Sequence, residues 1–185
     1  MRLAAYDVVQ IDVCVHPSRP SRTWKLRRYY QPLHPLPLKV TIAAKPEDKK
    51  LAYALRLHVF CDEEGHTHSI QVDAHDDEDS TIHFIGVDTD DQDKVVAVAR
   101  CMVDDNKRQA RIGRVALLPE CSGKGYGKVL MDVVEKAVEA RVDSFVLLEQ
   151  LSKQGFYEKC GYHRVDDEVF LDEHIKVCWM RKELA

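Results

Sequence analysis

The sequence predicts a fold of the α/β (α+β) class, and three features of the chain support this prediction. Segments that alternate apolar and polar residues, as β-strands do, are interspersed with segments spaced like amphipathic helices. A glycine-rich turn joins an apolar strand directly to a helix within residues 111–138. The 185 residues, 45% of them hydrophobic and 31% charged, are enough for one substantial core. We therefore expect one globular domain.

Residues 1–37 are predicted to be an N-terminal extension with a strand and a proline-rich arm, and residues 38–185 the folded domain. Residues 6–15 alternate as a strand does. Residues 24–30 combine basic and aromatic side chains, which could pack on the domain or contact an acidic partner. We prefer the packed interpretation because large aromatic side chains are usually at least partly buried.

The first half of the domain has the pattern of a strand, a helix, a polar loop and two further strands. Residues 38–42 alternate as a strand, and Pro46 suits the first turn of a helix, where its missing N–H is not needed. That helix is predicted to end near Cys61. Residues 62–80 are rich in acids and histidines and are predicted to form a loop. The two further strands are predicted at residues 81–87 and 95–103.

The central unit is a strand, a glycine-rich turn and a helix in direct succession. Residues 112–118 are apolar and β-branched, and apolar residues recur with helical spacing from Val129 onwards. Glycines let backbone N–H groups approach a ligand, and the start of a helix leaves such groups unpaired. The unit therefore predicts a site for a phosphorylated ligand such as a pyrophosphate. The glycines and lysines of the turn are Gly123, Lys124, Gly125, Gly127 and Lys128.

Two nucleotide-binding motifs do not fit this turn. A P-loop has the pattern G-x-x-x-x-G-K-[ST]. If Gly127 and Lys128 are its G-K pair, the first glycine falls on Ser122 and the final Ser or Thr on Val129, so neither position fits. A dinucleotide fingerprint has the spacing G-x-G-x-x-G, whereas this turn has G-x-G-x-G. A tight connection without any ligand is the structural alternative.

The C-terminal part alternates between short strands and a short helix. Residues 144–148 are apolar enough for a strand buried on both faces. Residues 152–160 are predicted to be a helix that ends at Gly161. Two final strands are predicted at residues 163–165 and 175–180.

The segment of residues 122–127 resembles the coenzyme A signature, [R/Q]-x-x-G-x-[G/A], of the GNAT (Gcn5-related) N-acetyltransferases. Ser122 stands where the family has Arg or Gln, which removes one side-chain contact and leaves the backbone of the turn intact. Residues 113–119, Gln150 and the tail formed by residues 156–162 and 175–180 resemble the ElaA-like subgroup most closely.

The resemblance covers residues 38–182 and implies the fold of that family. This fold is a mixed, twisted sheet of six to seven strands with helices on both faces. Its fourth and fifth strands splay apart, and the pantetheine arm of acetyl-CoA lies between them. The residues that would contact the cosubstrate are Leu117, Leu118, Ser122, Gly123, Lys124, Gly125, Tyr126, Gly127, Lys128, Gln150 and Phe156.

Acetyl transfer needs a polarised thioester carbonyl and a proton for the departing thiolate. A strand that splays from its neighbour has unpaired N–H groups, so the N–H near Leu118 is expected to be available to the thioester oxygen or a pantetheine amide. The resemblance implies that Tyr157 is the general acid. A phenol of pKa about 10 can protonate a thiolate whose conjugate acid has a pKa near 8.5 when the two are held together.

The general base is harder to assign, because Arg114 stands in the region where many family members place a glutamate. Asp73 or Glu120 is the candidate base, and His75 and Glu149 are further candidates. An amine that binds already deprotonated needs no base.

The resemblance implies an acetyl-CoA-dependent N-acetyltransferase that acts by direct attack of a primary amine of a small molecule or peptide. The alternative is a weakly active or inactive module that binds CoA or acetyl-CoA as a sensor or interaction protein. The acids of residues 62–80 suit a cationic amine, and their spacing with histidines matches no metal site, so no metal is expected. Cys121 could be a reactive thiol, but direct attack does not require one.

Composition argues against several other classes of protein. The formal net charge of −4 disfavours nucleic-acid binding, and no run of about 20 apolar residues suits a membrane span. The six cysteines form no C-x-x-C motif and are expected to be reduced thiols of a cytoplasmic protein. Polar residues interrupt the N-terminal segment, so no secretory signal is expected.

Overall fold

The computed structural model describes residues 36–184, which contain eight strands and four α-helices. The strands are β1 (Leu38–Ile42), β2 (Thr81–Asp88), β3 (Lys94–Asp104), β4 (Gln109–Leu117), β5 (Ser144–Gln150), β6 (His163–Arg164), β7 (Phe170–Asp172) and β8 (Ile175–Glu183). The helices are α1 (Pro46–Leu57), α2 (His68–Gln71), α3 (Tyr126–Val138) and α4 (Gln154–Lys159). The predicted strand at residues 6–15 and the basic, aromatic segment at residues 24–30 lie outside the described residues.

All eight strands of residues 36–184 belong to one mixed sheet, in the order β1-β2-β3-β4-β5-β8-β6, with β7 paired to β8. The pairing is antiparallel everywhere except between β4 and β5, which run parallel. This confirms the predicted class and the mixed sheet. The sheet has eight strands rather than six to seven because the three-residue β7 forms a hairpin with β8, which the sequence pattern did not show.

Helices cover both faces of the sheet. Successive residues of a strand point to opposite faces, so neighbouring residues of β3 meet different helices. On β3, the side chain of Arg100 reaches the segment that follows α1, where it contacts Asp76. The next residue, Cys101, faces the side on which Arg141, just after α3, influences its thiol. The buried face of α3 contains Leu130, Met131, Val134 and Val138, which are almost fully buried. It overlaps the apolar stripe that the spacing predicts, although Ala137 of that stripe is exposed.

The strands β4 and β5 part soon after they meet. They pair only from Gln109 with Ser144 to Arg111 with Val146, although β4 continues to Leu117 and β5 to Gln150. A bulge in β4, where two residues face one residue of β3, bends the strand at this point, and Arg114 within it has a φ of 53°. We call the resulting gap the β4–β5 opening.

A buried cluster of charges ties the helical segments to the sheet on the α1 face. Asp76 accepts two hydrogen bonds from the Arg56 guanidinium, at 2.9 and 3.1 Å, and one from Arg100 at 2.9 Å. Arg56 also donates to the carbonyl of Gln71, and Arg100 donates to Asp73 at 2.8 Å. We call these five residues the arginine–aspartate cluster.

The cluster holds Asp76 in its charged form. Burial alone would raise the pKa of Asp76, but the hydrogen bonds from Arg56, the Asp73 N–H and Arg100 outweigh burial and hold the pKa well below its ordinary value. A depressed pKa in the folded state means that Asp76 stabilises the fold above the unfolded-state pKa of about 4 and loses this contribution as the pH falls further.

Three residues of the cluster, Gln71, Asp73 and Asp76, lie in the segment of residues 62–80, which was predicted to be a loop. Residues 62–80 contain α2 and a 3₁₀ turn at Ala74–Asp77, and α1 continues into a π-helical turn at His58–Glu63. The 3₁₀ turn forms because the Asp73 side chain caps the His75 N–H while Asp76 accepts from the Asp73 N–H. Within residues 36–184, no helix combines the length and apolar character needed to cross a membrane.

We predict that Asp76→Asn lowers the free energy of unfolding by about 3–5 kcal/mol, because it leaves two buried guanidinium groups without their shared carboxylate. Denaturant unfolding at pH 7 measures this change. The control is Asp77→Asn, which removes an exposed carboxylate from the next position and should change stability by less than about 0.5 kcal/mol. Equal effects of the two substitutions would show that the cluster does not hold the segment in place.

Candidate functional site

The glycine-rich turn lies at the end of β4 and leads into α3. After a 3₁₀ turn at Pro119–Cys121, the backbone of Gly123 has a φ of +75° and that of Gly125 a φ of +85°. Both values lie in the left-handed region that side chains with a Cβ rarely adopt. These two positions therefore require glycine because of their backbone conformation.

The first turn of α3 presents backbone N–H groups without helical partners. Val129 is the first residue whose N–H donates to a preceding carbonyl, that of Gly125, and no side chain caps the helix within the described part of the chain. Gly125 and Lys124 are exposed beside this turn. Lys128 is also exposed and pairs with Asp132 one helical turn further on. The turn is therefore suited to an anion such as a phosphate group.

Three of the residues predicted to bind the cosubstrate pack against one another. A Cβ on Gly127 would lie 3.0 Å from the ring of Phe156 and 3.9 Å from the Leu117 side chain. Gly127 is thus required for the close approach of α3 to α4, in addition to any role towards a ligand. The packing places the start of α3 beside the end of β4.

Tyr126 and Cys121 are turned away from the surface of the turn. The Tyr126 side chain is 2% exposed and its hydroxyl donates to Asp88 at 2.9 Å, so only its backbone can meet a ligand. Burial and this hydrogen bond raise the pKa of Tyr126 to about 12. Burial also raises the pKa of the Cys121 thiol, which argues against a reactive thiolate. Ser122 is exposed, and its N–H donates to the carbonyl of Pro119.

The available N–H that was predicted near Leu118 is not the N–H of Leu118 itself. Its N–H donates to the Val96 carbonyl at 2.9 Å, because β3 and β4 stay paired to the end of β4. Successive residues of a strand direct their backbone groups to opposite edges, so the backbone of Leu117 faces the β4–β5 opening instead.

A cleft of about 590 Å³ extends from the opening, within the range of small-molecule sites. It lies between β4 on one side and the ends of β5 and β7 on the other. Its polar lining residues are His66, Gln71, Asp73, His75, Arg100, Arg111, Arg114, Glu149, Gln150 and Asp172. Within residues 36–184, no group of His, Cys, Asp and Glu side chains is arranged to hold a metal ion.

Glu149 and Tyr157 form a hydrogen-bonded pair at the edge of this cleft. Burial raises the pKa of Glu149 to about 7, and the bond from Tyr157 opposes that shift. Burial, the negative charge of Glu149 and the hydrogen bond to its carboxylate raise the pKa of Tyr157 well above its ordinary value. The Tyr157 side chain is 3% exposed, with its ring edge-to-face against Phe156 and Tyr162.

Neither of the two candidate bases has the environment of a base. The hydrogen bond and charge of Arg100 outweigh burial and lower the pKa of Asp73, which also pairs with Arg114 at 3.2 Å. Glu120 lies at the surface and pairs with Lys94 at 3.1 Å. Its own backbone N–H and Lys94 lower its pKa. His75 is exposed and bonded to Glu78. The lowered pKa values make Asp73 and Glu120 weaker bases than Glu149, whose pKa is raised.

The remaining predicted residue, Gln150, follows Glu149 at the end of β5. Its amide donates to the Glu64 carboxylate at 2.8 Å, which joins β5 to the segment after α1. His66 of that segment pairs with Glu173, in the turn between β7 and β8, at 2.8 Å. These contacts frame the outer side of the cleft, so the Gln150 side chain contributes to the cleft wall.

Of the residues of the cleft, Arg111 was not selected from the sequence, and Glu149 was named only as a further candidate base. A charged residue that ends an otherwise apolar strand was the available signal for Glu149, because burial of a carboxyl group raises its pKa. Arg111 had no comparable signal, since its environment depends on β8: its guanidinium lies over the Trp179 ring, 5.0 Å from the centroid.

Comparison with known proteins agrees with this architecture. The model of the acetyltransferase (GNAT) family matches residues 49–162. An N-acetyltransferase named YjcF from Bacillus subtilis, described as uncharacterised, is 27% identical over 147 residues, which cover 79% of this chain and 100% of that protein.

Solved structures give the same assignment. An N-acetyltransferase from Lactobacillus plantarum has a TM-score of 0.71 and 26% identity, covering 80% of this chain and 99% of that one. Escherichia coli ElaA has a TM-score of 0.69 and 22% identity, covering 79% and 99%, and it shares the fold. The similarity to ElaA agrees with the resemblance seen in the sequence. The chain therefore belongs to the acetyltransferase (GNAT) family.

Proposed function

We propose that this protein is an acetyl-CoA-dependent N-acetyltransferase that transfers the acetyl group directly to a primary amine of a small molecule. The observation that carries the proposal is the β4–β5 opening. The anion-binding turn at the start of α3 lies at one end of it, and the Glu149–Tyr157 pair lies beside the cleft that leads from it.

The turn accounts for binding of the cosubstrate phosphates. The free N–H groups of the first turn of α3 and the exposed Lys124 supply hydrogen bonds and positive charge for a pyrophosphate. Beyond the turn, the Leu117 backbone facing the opening can donate to an amide or thioester oxygen of the cosubstrate. Position 122 holds Ser where the family has Arg or Gln, and this difference does not remove the backbone N–H donors of the turn.

Glu149 is assigned as the general base. A carboxyl group with a pKa of about 7 is partly ionised at neutral pH, and its carboxylate can accept the proton that the nitrogen of a neutral amine loses as it attacks the thioester carbonyl. Asp73 and Glu120 lack this property, since their cationic partners lower their pKa values.

Tyr157 is assigned as the proton donor to the departing sulfur. While Glu149 is charged, it raises the pKa of Tyr157 and keeps the hydroxyl protonated. When Glu149 takes a proton from the amine nitrogen, its charge disappears and the Tyr157 hydroxyl becomes more acidic. Tyr157 then donates its proton to the sulfur as the carbon–sulfur bond breaks, and the Glu149 carboxyl returns a proton to the phenolate. The pair thus passes one proton from the nitrogen to the sulfur.

We expect Gly125→Asp to abolish most of the thermal stabilisation by acetyl-CoA, because it adds a side chain and a negative charge at the anion-binding turn. The control is Gly65→Asp, which imposes the same substitution on a left-handed glycine, φ +79°, with open space around it. Thermal melting with and without acetyl-CoA measures both variants. Full stabilisation of Gly125→Asp by acetyl-CoA would contradict binding at the turn.

Glu149→Gln should lower kcat/KM by about 10²–10⁴-fold, because the amide cannot accept the proton. The wild type should lose activity as the pH falls through about 7, where Glu149 becomes protonated, and this acid limb should vanish in the variant. A pH–rate profile on an amine substrate measures both effects. Glu135→Gln is the matched control, since Glu135 also accepts a hydrogen bond from a buried tyrosine, Tyr162, at 2.9 Å. An unchanged acid limb in Glu149→Gln would rule out Glu149 as the base.

Tyr157→Phe should lower kcat by about 10²–10⁴-fold and leave acetyl-CoA affinity nearly unchanged, because the phosphates are bound elsewhere. Tyr162→Phe removes a comparable buried hydroxyl away from the cleft and should leave kcat close to that of the wild type. Steady-state kinetics and equilibrium binding of acetyl-CoA separate the two effects. A folded Tyr157→Phe variant with full kcat would contradict the assignment. Binding without any turnover in the wild type would favour a CoA-binding module.

A further inference from the structure

The cleft wall formed by β3 and β4 carries more positive than negative charge. Three arginines of these strands line it, Arg100, Arg111 and Arg114, and the lining acid beside them is Asp73, from the segment before β2. Asp73 is already bonded to Arg100 at 2.8 Å and to Arg114 at 3.2 Å. The second acid of the cluster, Asp76, is shared between Arg56 and Arg100. Both acids of the cluster therefore form ion pairs with arginines.

Arg111 is the cation of this wall that no carboxylate neutralises. Its side chain is exposed, stacks on Trp179 and forms no ion pair with any residue in the range 36–184. Burial of part of the group and the positive charge of Arg100 lower the pKa of Arg111, and together they outweigh the charge of Asp73, which raises it. A guanidinium held flat on an indole presents its N–H edge to a planar anion such as a carboxylate.

The opposite wall of the cleft carries the negative charge. Glu149 lies there at the end of β5 and Asp172 at the end of β7. Arg111 pairs with Val146, and Glu149 follows three residues further along β5, about 10 Å away at 3.3 Å per residue. Because residues of a strand alternate between the two faces, this odd offset places the Arg111 side chain on the face of the arginine–aspartate cluster and the Glu149 side chain on the opposite face, where it meets Tyr157. Both residues line the cleft, so one small molecule that extends into the β4–β5 opening can contact both.

We propose that the acceptor carries a carboxylate together with its amine, with the carboxylate bound by Arg111 and the amine directed to Glu149. This inference rests on the proposed N-acetyltransferase function and specifies its substrate class as amino acids and related amino-carboxylates. It goes beyond the expectation of a cationic acceptor, which was based on the acids of residues 62–80, because two of these acids, Asp73 and Asp76, are bonded to arginines. An acceptor without a carboxylate would leave Arg111 without a counter-charge beside the bound amine.

The test compares each amino acid with the amine that its decarboxylation gives. Ornithine with putrescine and phenylalanine with 2-phenylethylamine are two such pairs, and they keep the side chain constant. The wild type should acetylate at least one amino acid with a kcat/KM at least 10-fold above that of its amine partner. Equal or higher kcat/KM for the amines throughout the panel would overturn the inference while leaving the N-acetyltransferase function intact.

The matched variants locate the effect at one residue. Arg111→Gln should lower kcat/KM for the preferred amino acid by roughly 10- to 100-fold, as expected for loss of a charged hydrogen-bonding group, and change it little for the partner amine. Arg181→Gln removes another exposed arginine of the same face of the sheet, paired with Glu183, and should leave both values unchanged. Equal losses for amino acid and amine in Arg111→Gln would also overturn the inference.

Equilibrium binding separates this inference from the proposed function. If acetyl-CoA binds but no amine is acetylated, the catalytic proposal fails, and calorimetric titration of the CoA complex with the amino acids still tests the carboxylate site. Binding of an amino acid that weakens in Arg111→Gln would support the inference. Absence of binding by every amino acid in the panel would contradict it.

Discussion

The parting of β4 and β5 is the constraint on which the rest of the site depends. Three residue pairs join these parallel strands, and the bulge at Arg114 then turns β4 away. Had the pairing continued, backbone hydrogen bonds between the strands would fill the space where a substrate must enter. The opening instead leaves the backbone of Leu117 and the side chain of Glu149 facing a common gap, which a continuous sheet could not provide.

The two faces of the sheet contribute different chemistry to this gap. On the face of α3 and α4, a glycine turn and the start of a helix are suited to bind an anion, and the raised pKa of the buried Tyr157 keeps its hydroxyl protonated. On the face of α1, the arginine–aspartate cluster holds the segment after α1 in place, and its arginines neutralise Asp73 and Asp76. The cluster thus has both a structural and an electrostatic consequence, since it leaves the cleft wall of β3 and β4 cationic.

The sequence was most informative where a structural requirement is local. The need for glycine at positions 123 and 125 follows from backbone conformation alone, and the apolar stripe of α3 follows from helical spacing. The resemblance of residues 122–127 and of the tail to a known family gave the mixed sheet and the splayed strands, which the structure confirms. The hairpin of β7 with β8 was missed because a three-residue strand has too few positions to show alternation.

The chemistry of the acids could not be predicted, because it depends on partners distant in the chain. Asp73 loses its basicity to Arg100, 27 residues away, and pairs with Arg114, 41 residues away. Glu149 gains basicity from burial, which the hydrogen bond from Tyr157 only partly opposes, and the extent of that burial depends on elements outside β5. Which N–H near Leu118 is available could not be predicted for a related reason: the splay occurs towards β5, whereas the N–H of Leu118 points to β3.

A crystal structure of the complex with CoA tests the central claim most directly. The account predicts the pyrophosphate against the N–H groups of residues 125–128, the pantetheine arm within the β4–β5 opening, and the thiol sulfur at hydrogen-bonding distance from the Tyr157 hydroxyl. A CoA molecule bound with its pyrophosphate at the turn but with its sulfur outside the opening, or away from Tyr157, would contradict the proposed proton transfer between Glu149, Tyr157 and the departing thiolate.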